Sequence, residues 1–132
     1  MLETELQQFQ AIIGKRTAAR LELDRVLIRG RVPERYQAVQ TYVEVLDRCI
    51  AELVAWSNYV RGRIEQAVRG SGGVPWADDP AWVLIRNTGV VSWVSSLRQE
   101  RDMLARELEA IAELNRFPHE ADEPSNGTAP DR

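Results

Sequence analysis

The chain has 132 residues, 44% of them apolar and 28% charged, with a formal net charge of −3. That is the size and balance of one soluble domain with its own core, and the mild acidity argues against a protein built mainly to grip nucleic acid. Cys49 is the only cysteine, which excludes an internal disulfide and fits a reducing, cytoplasmic setting.

The segment Met1-Leu2-Glu3-Thr4-Glu5 carries acids where a secretion signal would be positive. The stretch nearest to a membrane span, residues 81–97, holds Arg86 and Asn87 in its middle, so no membrane partner is expected. Lys15 is the only lysine among 17 basic residues. The skew reads first as codon bias of a GC-rich genome; the alternative is selection for planar forks that take carboxylate or phosphate.

The first predicted helix runs from about Leu2 to Arg29. Leu2, Leu6, Phe9 and Ile13 recur at spacings of four and three, and Leu23 and Leu27 resume the stripe after Arg16 and Arg20 interrupt it. Gly30 supplies a left-handed residue to end it. After Arg31-Val32, Pro33 suits the first turn of a second helix, and so short a link predicts an antiparallel neighbour.

The second helix spans Pro33 to about Arg69. Tyr36, Val39, Val43, Leu46, Ile50, Leu53, Ser57, Val60, Ile64 and Ala67 form a heptad seam, and Tyr42, Cys49 and Trp56 make a second line beside it. An apolar face this wide needs more than one neighbour. The run Gly70 to Gly73 ends the helix, and Val74-Pro75-Trp76-Ala77 continues as loop.

Asp79 reads as an N-cap with Pro80 at the first helical position. A third helix then extends to about Arg116 on a seam of Val83, Asn87, Val90, Val94, Leu97, Arg101, Leu104, Leu108 and Ile111. Gly89 sits within it, and the expectation is one continuous helix. Glu100, Arg106, Glu107 and Glu109 read as the solvated flank. Pro118 stops the helix, and the acidic, proline-containing remainder has no apolar period.

These pieces predict an all-α fold: an elongated antiparallel three-helix bundle with coiled-coil-like seams in residues 1–117, followed by a disordered acidic tail in 118–132. The polar seam residues Asn87 and Arg101 read as register or partner selectors, and the wide faces predict a dimer or larger assembly.

Chemistry is sparse. His119 is the only histidine and falls in the predicted tail, which removes serine–histidine triads and the common zinc sites. Cys49 lies on an apolar line and reads as a buried, inert thiol. The acids of the third helix alternate with arginines and read as a salt-laced surface. The paired acidic motifs of helical pyrophosphohydrolases are missing. Arg16 and Arg20 in a seam resemble small helical chorismate mutases, but the remaining motif residues are absent. The expectation is therefore no catalytic, cofactor or metal residue; a pocket lined by Arg16, Arg20 and a carboxylate would reopen the question.

Two surface features remain. Arg25, Arg29, Arg31 and Arg35 cluster around the first turn, where they can contact phosphates, or else offset a helix dipole and pair with acids. Trp56 and Trp93 read as core or interface anchors, and Trp76 and Trp82 flank the start of the third helix, where a tryptophan either covers the bundle end or anchors a partner. The leading expectation is a non-enzymatic interaction or assembly protein that binds another protein or itself. The alternative is a nucleic-acid-associated regulator using the arginine cluster.

Overall fold

The computed structural model describes residues 2–70 and 79–122, with side chains as far as Leu114. Four helices follow in order: α1 (Glu3–Arg29), α2 (Val32–Gly70), α3 (Pro80–Thr88) and α4 (Val90–Asp122). No strand occurs among the described residues. The 39 residues of α2 make a rod of about 58 Å at 1.5 Å per residue. Both α1 and the α3–α4 pair pack on α2, antiparallel to it, so α1 and α4 run in the same direction. The result is an elongated three-helix bundle with α2 as the shared member.

The face that α2 buries combines the two lines of its sequence. Tyr42, Leu46, Cys49, Leu53, Trp56 and Val60 are all buried, at spacings of four and three. Tyr36, Val39, Val43, Ile50 and Ile64 of the expected seam are only half-buried. On α1 the inward line is Glu5, Phe9, Ile12, Arg16, Ala19, Leu23; of the expected stripe Phe9 and Leu23 are buried, and Leu2 and Ile13 pack partly against the core. Leu6 and Leu27 are left exposed. The inward line was hidden because two of its members, Glu5 and Arg16, are charged.

The α1–α2 turn also differs from expectation. Gly30 has φ −79° and ψ 158°, which is extended rather than left-handed. Glycine is needed there for space: a Cβ would lie 2.7 Å from the Val26 carbonyl oxygen and 2.9 Å from Val26 Cγ1. The Gly30 N–H donates to that same carbonyl. The α2 start is fixed by Glu34, whose carboxylate accepts from the Arg31 N–H at 2.7 Å, one half of a capping box.

The third helix is two. Gly89 adopts φ 61° and ψ 36°, closing α3 before α4 begins. Asp79 caps α3 as expected, accepting from the Ala81 N–H at 2.9 Å and the Trp82 N–H at 3.4 Å. The break resets the helical phase. Ala81 and Leu84 are buried in α3, in place of the expected Val83 and Asn87, while Val90, Leu97 and Leu104 are buried in α4. Pro118 does not end α4, which continues to Asp122; residues 123–132 of the expected tail lie outside the described residues, as do 71–78. No helix among the described residues is long and apolar enough to cross a membrane.

Candidate functional site

Trp56 is built into the core. Its indole N–H donates to the Glu5 carbonyl at 2.9 Å, and its ring meets Phe9 at 5.2 Å and 45°. Trp93 is half-buried against the core. Trp82 is exposed on α3, and Trp76 lies outside the described residues. Of the candidate tryptophans that are described, Trp82 therefore presents the most surface.

The arginines of the first turn divide. Arg25 pairs with Glu22 on its own helix. Arg35 reaches back, its Nε donating to the Gly30 carbonyl at 2.9 Å, and so completes the C-terminal end of α1. The Arg29 and Arg31 side chains are exposed and make no ion pair among the described residues. Four apolar side chains, Leu21, Leu27, Ile28 and Val32, are exposed among these arginines.

Sequence reasoning missed a polar cluster inside the bundle. Glu100 on α4 accepts from Arg16 Nη2 at 3.0 Å, Arg20 Nη1 at 2.9 Å and the Tyr42 hydroxyl at 2.9 Å. One carboxylate thus joins α1, α2 and α4, with its side chain 14% exposed. The Arg20 guanidinium also lies over the Tyr42 ring, 5.8 Å from its centroid. Burial is the largest single influence on Arg16 and opposes its charge, but the hydrogen bond to Glu100 and the attraction of Glu100 and Tyr42 together outweigh it and raise the pKa. Burial first and the Glu100 hydrogen bond second push the Tyr42 phenol up. Among the described residues Arg16 Nε is buried without a hydrogen-bond partner, because the guanidinium meets Glu100 through Nη2.

The sequence signal for this cluster was present in Arg16 and Arg20 breaking a seam. Their partner was concealed because Glu100, one position before Arg101, read as solvated flank. Arg101, expected in the seam, instead pairs across the surface with Asp47 of α2 at 2.8 Å. Asn87 is exposed. A second such tie holds the other end of the bundle, where the buried Glu5 accepts from Arg63 Nη1 at 3.0 Å.

The arrangement of Arg16, Arg20 and a carboxylate is thus real, but its members are turned on one another, with only Arg16 Nε left over among the described residues. Two surface grooves open away from it. One of about 400 Å³ lies between α2 and α4 and is lined by Val54, Asn58, Arg61, Val91, Val94 and Arg98. Another, of about 390 Å³ and mainly apolar, lies between α1 and α3 along Leu2, Leu6, Val83 and Asn87. Cys49 is buried, its thiol facing the Ile12 carbonyl at 3.8 Å and pushed up in pKa chiefly by burial. Among the described residues no three histidines, cysteines or carboxylates come together as a metal site would require.

No protein-family model, curated protein or solved structure matches the chain.

Proposed function

We propose that this chain is a non-enzymatic helical interaction protein of the cytoplasm, which presents its helix faces to another protein or to copies of itself. One observation carries the reading. Large apolar side chains stand in solvent around the α1–α2 turn and along α4 from Met103 onward: Leu21, Ile28, Val32, Met103 and Leu114 are each more than half exposed. Because α4 runs antiparallel to α2, with Arg101 level with Asp47, the part of α4 beyond Met103 runs towards the turn end, and these residues all lie in the turn half of the bundle. A cluster of this kind costs solubility, and on soluble proteins it marks a contact surface. The exposed Trp82 on α3 offers a further anchor at the opposite end.

The test is capture from a lysate of the source organism, with and without nuclease, using the parent and an Ile28→Ser/Val32→Ser/Leu114→Ser variant. Protein retained after nuclease by the parent and lost by the variant supports the reading. Equal retention by both overturns it.

Arg29 and Arg31, exposed and without an ion pair among the described residues, favour a second reading, contact with nucleic-acid phosphates through Arg25, Arg29, Arg31 and Arg35. Phosphate contacts steepen the salt dependence of binding. Replacing Arg29, Arg31 and Arg35 with glutamine should then weaken retention on nucleic acid and flatten its salt slope; unchanged retention removes this reading.

A further inference from the structure

The groove between α2 and α4 lies on the side of their contact away from α1. Glu100 and Arg98 are two residues apart on α4, so they point to opposite sides of it. Glu100 joins α1, and Arg98 lines the groove. The floor is apolar and incompletely covered: Val54 and Val94 are half-buried, and Val91 is 60% exposed. The walls carry arginine, Arg61 from α2 and Arg98 from α4, around a space of about 400 Å³, a size that suits a small ligand.

The two arginines converge. Asp47 and Arg101 pair across α2 and α4 and mark one height on the bundle. From that height, away from the turn, Arg61 stands about 21 Å along α2 and Arg98 about 4.5 Å along α4 at 1.5 Å per residue. Side chains on a helix tilt towards its N-terminus. The helices are antiparallel, so Arg61 tilts towards Arg98 and Arg98 towards Arg61, over the valines.

No carboxylate answers them. Among the described residues neither arginine makes an ion pair. Each has an acid one turn further on, Glu65 and Asp102, but cation before acid is the weaker order for a pair on one helix. Asp102, the one carboxylate lining the groove, is taken instead by Arg101 at 3.2 Å.

We infer that this groove binds a small organic anion, its carboxylate, sulfonate or phosphate taken by Arg61 and Arg98 and its apolar body laid on Val54, Val91 and Val94. The site goes beyond the interaction reading and uses a different part of the bundle from the apolar cluster of the turn half.

Both halves of the ligand are needed. Guanidinium forks match the oxygens of a carboxylate or phosphate and hold them by charge-assisted hydrogen bonds. An inorganic anion meets these forks but leaves the valines in water. A neutral apolar molecule covers the valines but leaves both cations without a partner. A cation is repelled by the two arginines, since Asp102 is already held by Arg101.

The experiment maps amide chemical shifts of the nitrogen-labelled full chain titrated separately with octanoate, octanol and acetate. Octanoate shifts residues 54–61 of α2 and 91–98 of α4 and saturates them. Octanol and acetate, each lacking one half of the ligand, bind there at least about tenfold more weakly, roughly 1.4 kcal/mol. Arg61→Gln/Arg98→Gln loses at least about tenfold in octanoate affinity. Its amide spectrum outside the groove matches the parent, since both side chains are exposed. Octanoate that shifts no groove amide, octanol that binds as tightly as octanoate, a double variant that binds octanoate like the parent, or shifts centred on the turn end overturns the inference. The capture experiment reads the turn half of the bundle, so the interaction reading stands or falls separately.

Discussion

A single carboxylate, Glu100, ties three helices through Arg16, Arg20 and Tyr42. Removing one member of a fully buried charge set costs about 3–5 kcal/mol, because the remaining charges lose their partner. Arg20 keeps solvent access here, with its side chain 38% exposed, so Glu100→Ala should cost somewhat less, about 2–3 kcal/mol. Urea denaturation reads this directly; a loss below about 0.5 kcal/mol would place the cluster with ordinary surface pairs. Tyr42 adds a pH dependence whose sign follows from its environment. Its phenol is pushed up from the ordinary value near 10 by burial and by Glu100, so the folded chain holds that proton more tightly than the unfolded chain does. The resulting stability is complete below about pH 10 and drains away as pH rises through the folded value. Cys49, raised by burial from an ordinary value near 9, acts in the same direction from about one pH unit lower. Urea midpoints between pH 8 and 11 should therefore fall. Tyr42→Phe should start lower at neutral pH, for want of its hydrogen bond to a charged group, yet lose less stability across the alkaline range. A steeper alkaline fall in Tyr42→Phe than in the parent would refute the assignment. Gly89 carries a different constraint: a Cβ there meets nothing within 4 Å, but φ is +61°. Gly89→Ala should thus cost about 1–2 kcal/mol from backbone conformation alone, with no repacking visible in the near-ultraviolet spectrum.

At the scale of elements, α2 decides the fold because its buried face serves two neighbours. Leu53 is fully buried at the middle of that face. Leu53→Ala should cost about 2–5 kcal/mol through lost transfer energy and the cavity left behind. Leu53→Asp, which buries a charge with no partner, should abolish the cooperative melt; a variant that melts like the parent would show that the seam is misassigned. The heptads made this much legible in advance: helix class, the two long rods, the antiparallel turn, and the Asp79-Pro80 start of α3. What stayed hidden has a common physical cause. Apolar periodicity registers apolar residues, so an inward line containing Glu5 and Arg16 looks like an outward one. Phase was the other casualty. Gly89 in the left-handed region rotates α3 against α4, and a seam counted straight through it selects Val83 and Asn87 where Ala81 and Leu84 are buried. The candidate surface was legible in part: the arginines of the turn could be read from the chain, whereas the exposure of Ile28, Val32 and Leu114 among and beside them required the third dimension.

For the whole molecule, stability is distributed unevenly along the bundle axis. The half that contains Trp56 is closed by Phe9, Ile12, Cys49, Leu53 and Val60, all buried, and is tied by Glu5 and Arg63. The turn half keeps α1 against α2 through Leu23, Ala19 and Ala38, while α4 beyond Leu104 contributes residues that are mostly exposed. Local opening follows the density of buried apolar contacts. Amide hydrogen exchange in dilute solution should therefore find the centre of α2, residues 46–60, exchanging only through global unfolding. The amides of α4 after Leu104 should exchange faster, through local fraying that leaves the core intact. Where the exposed apolar cluster meets a second copy of the chain, one form of the proposed function, protection gains a term that depends on concentration, because binding stabilises only the species that binds. Protection along residues 103–114 of α4 and 21–29 of α1 should rise together as the protein is concentrated, while the centre of α2 changes only as global stability changes. If α4 after Leu104 is as protected in dilute solution as the centre of α2, the turn half is already closed within one chain. The exposed apolar lines would then have no cost to relieve by pairing.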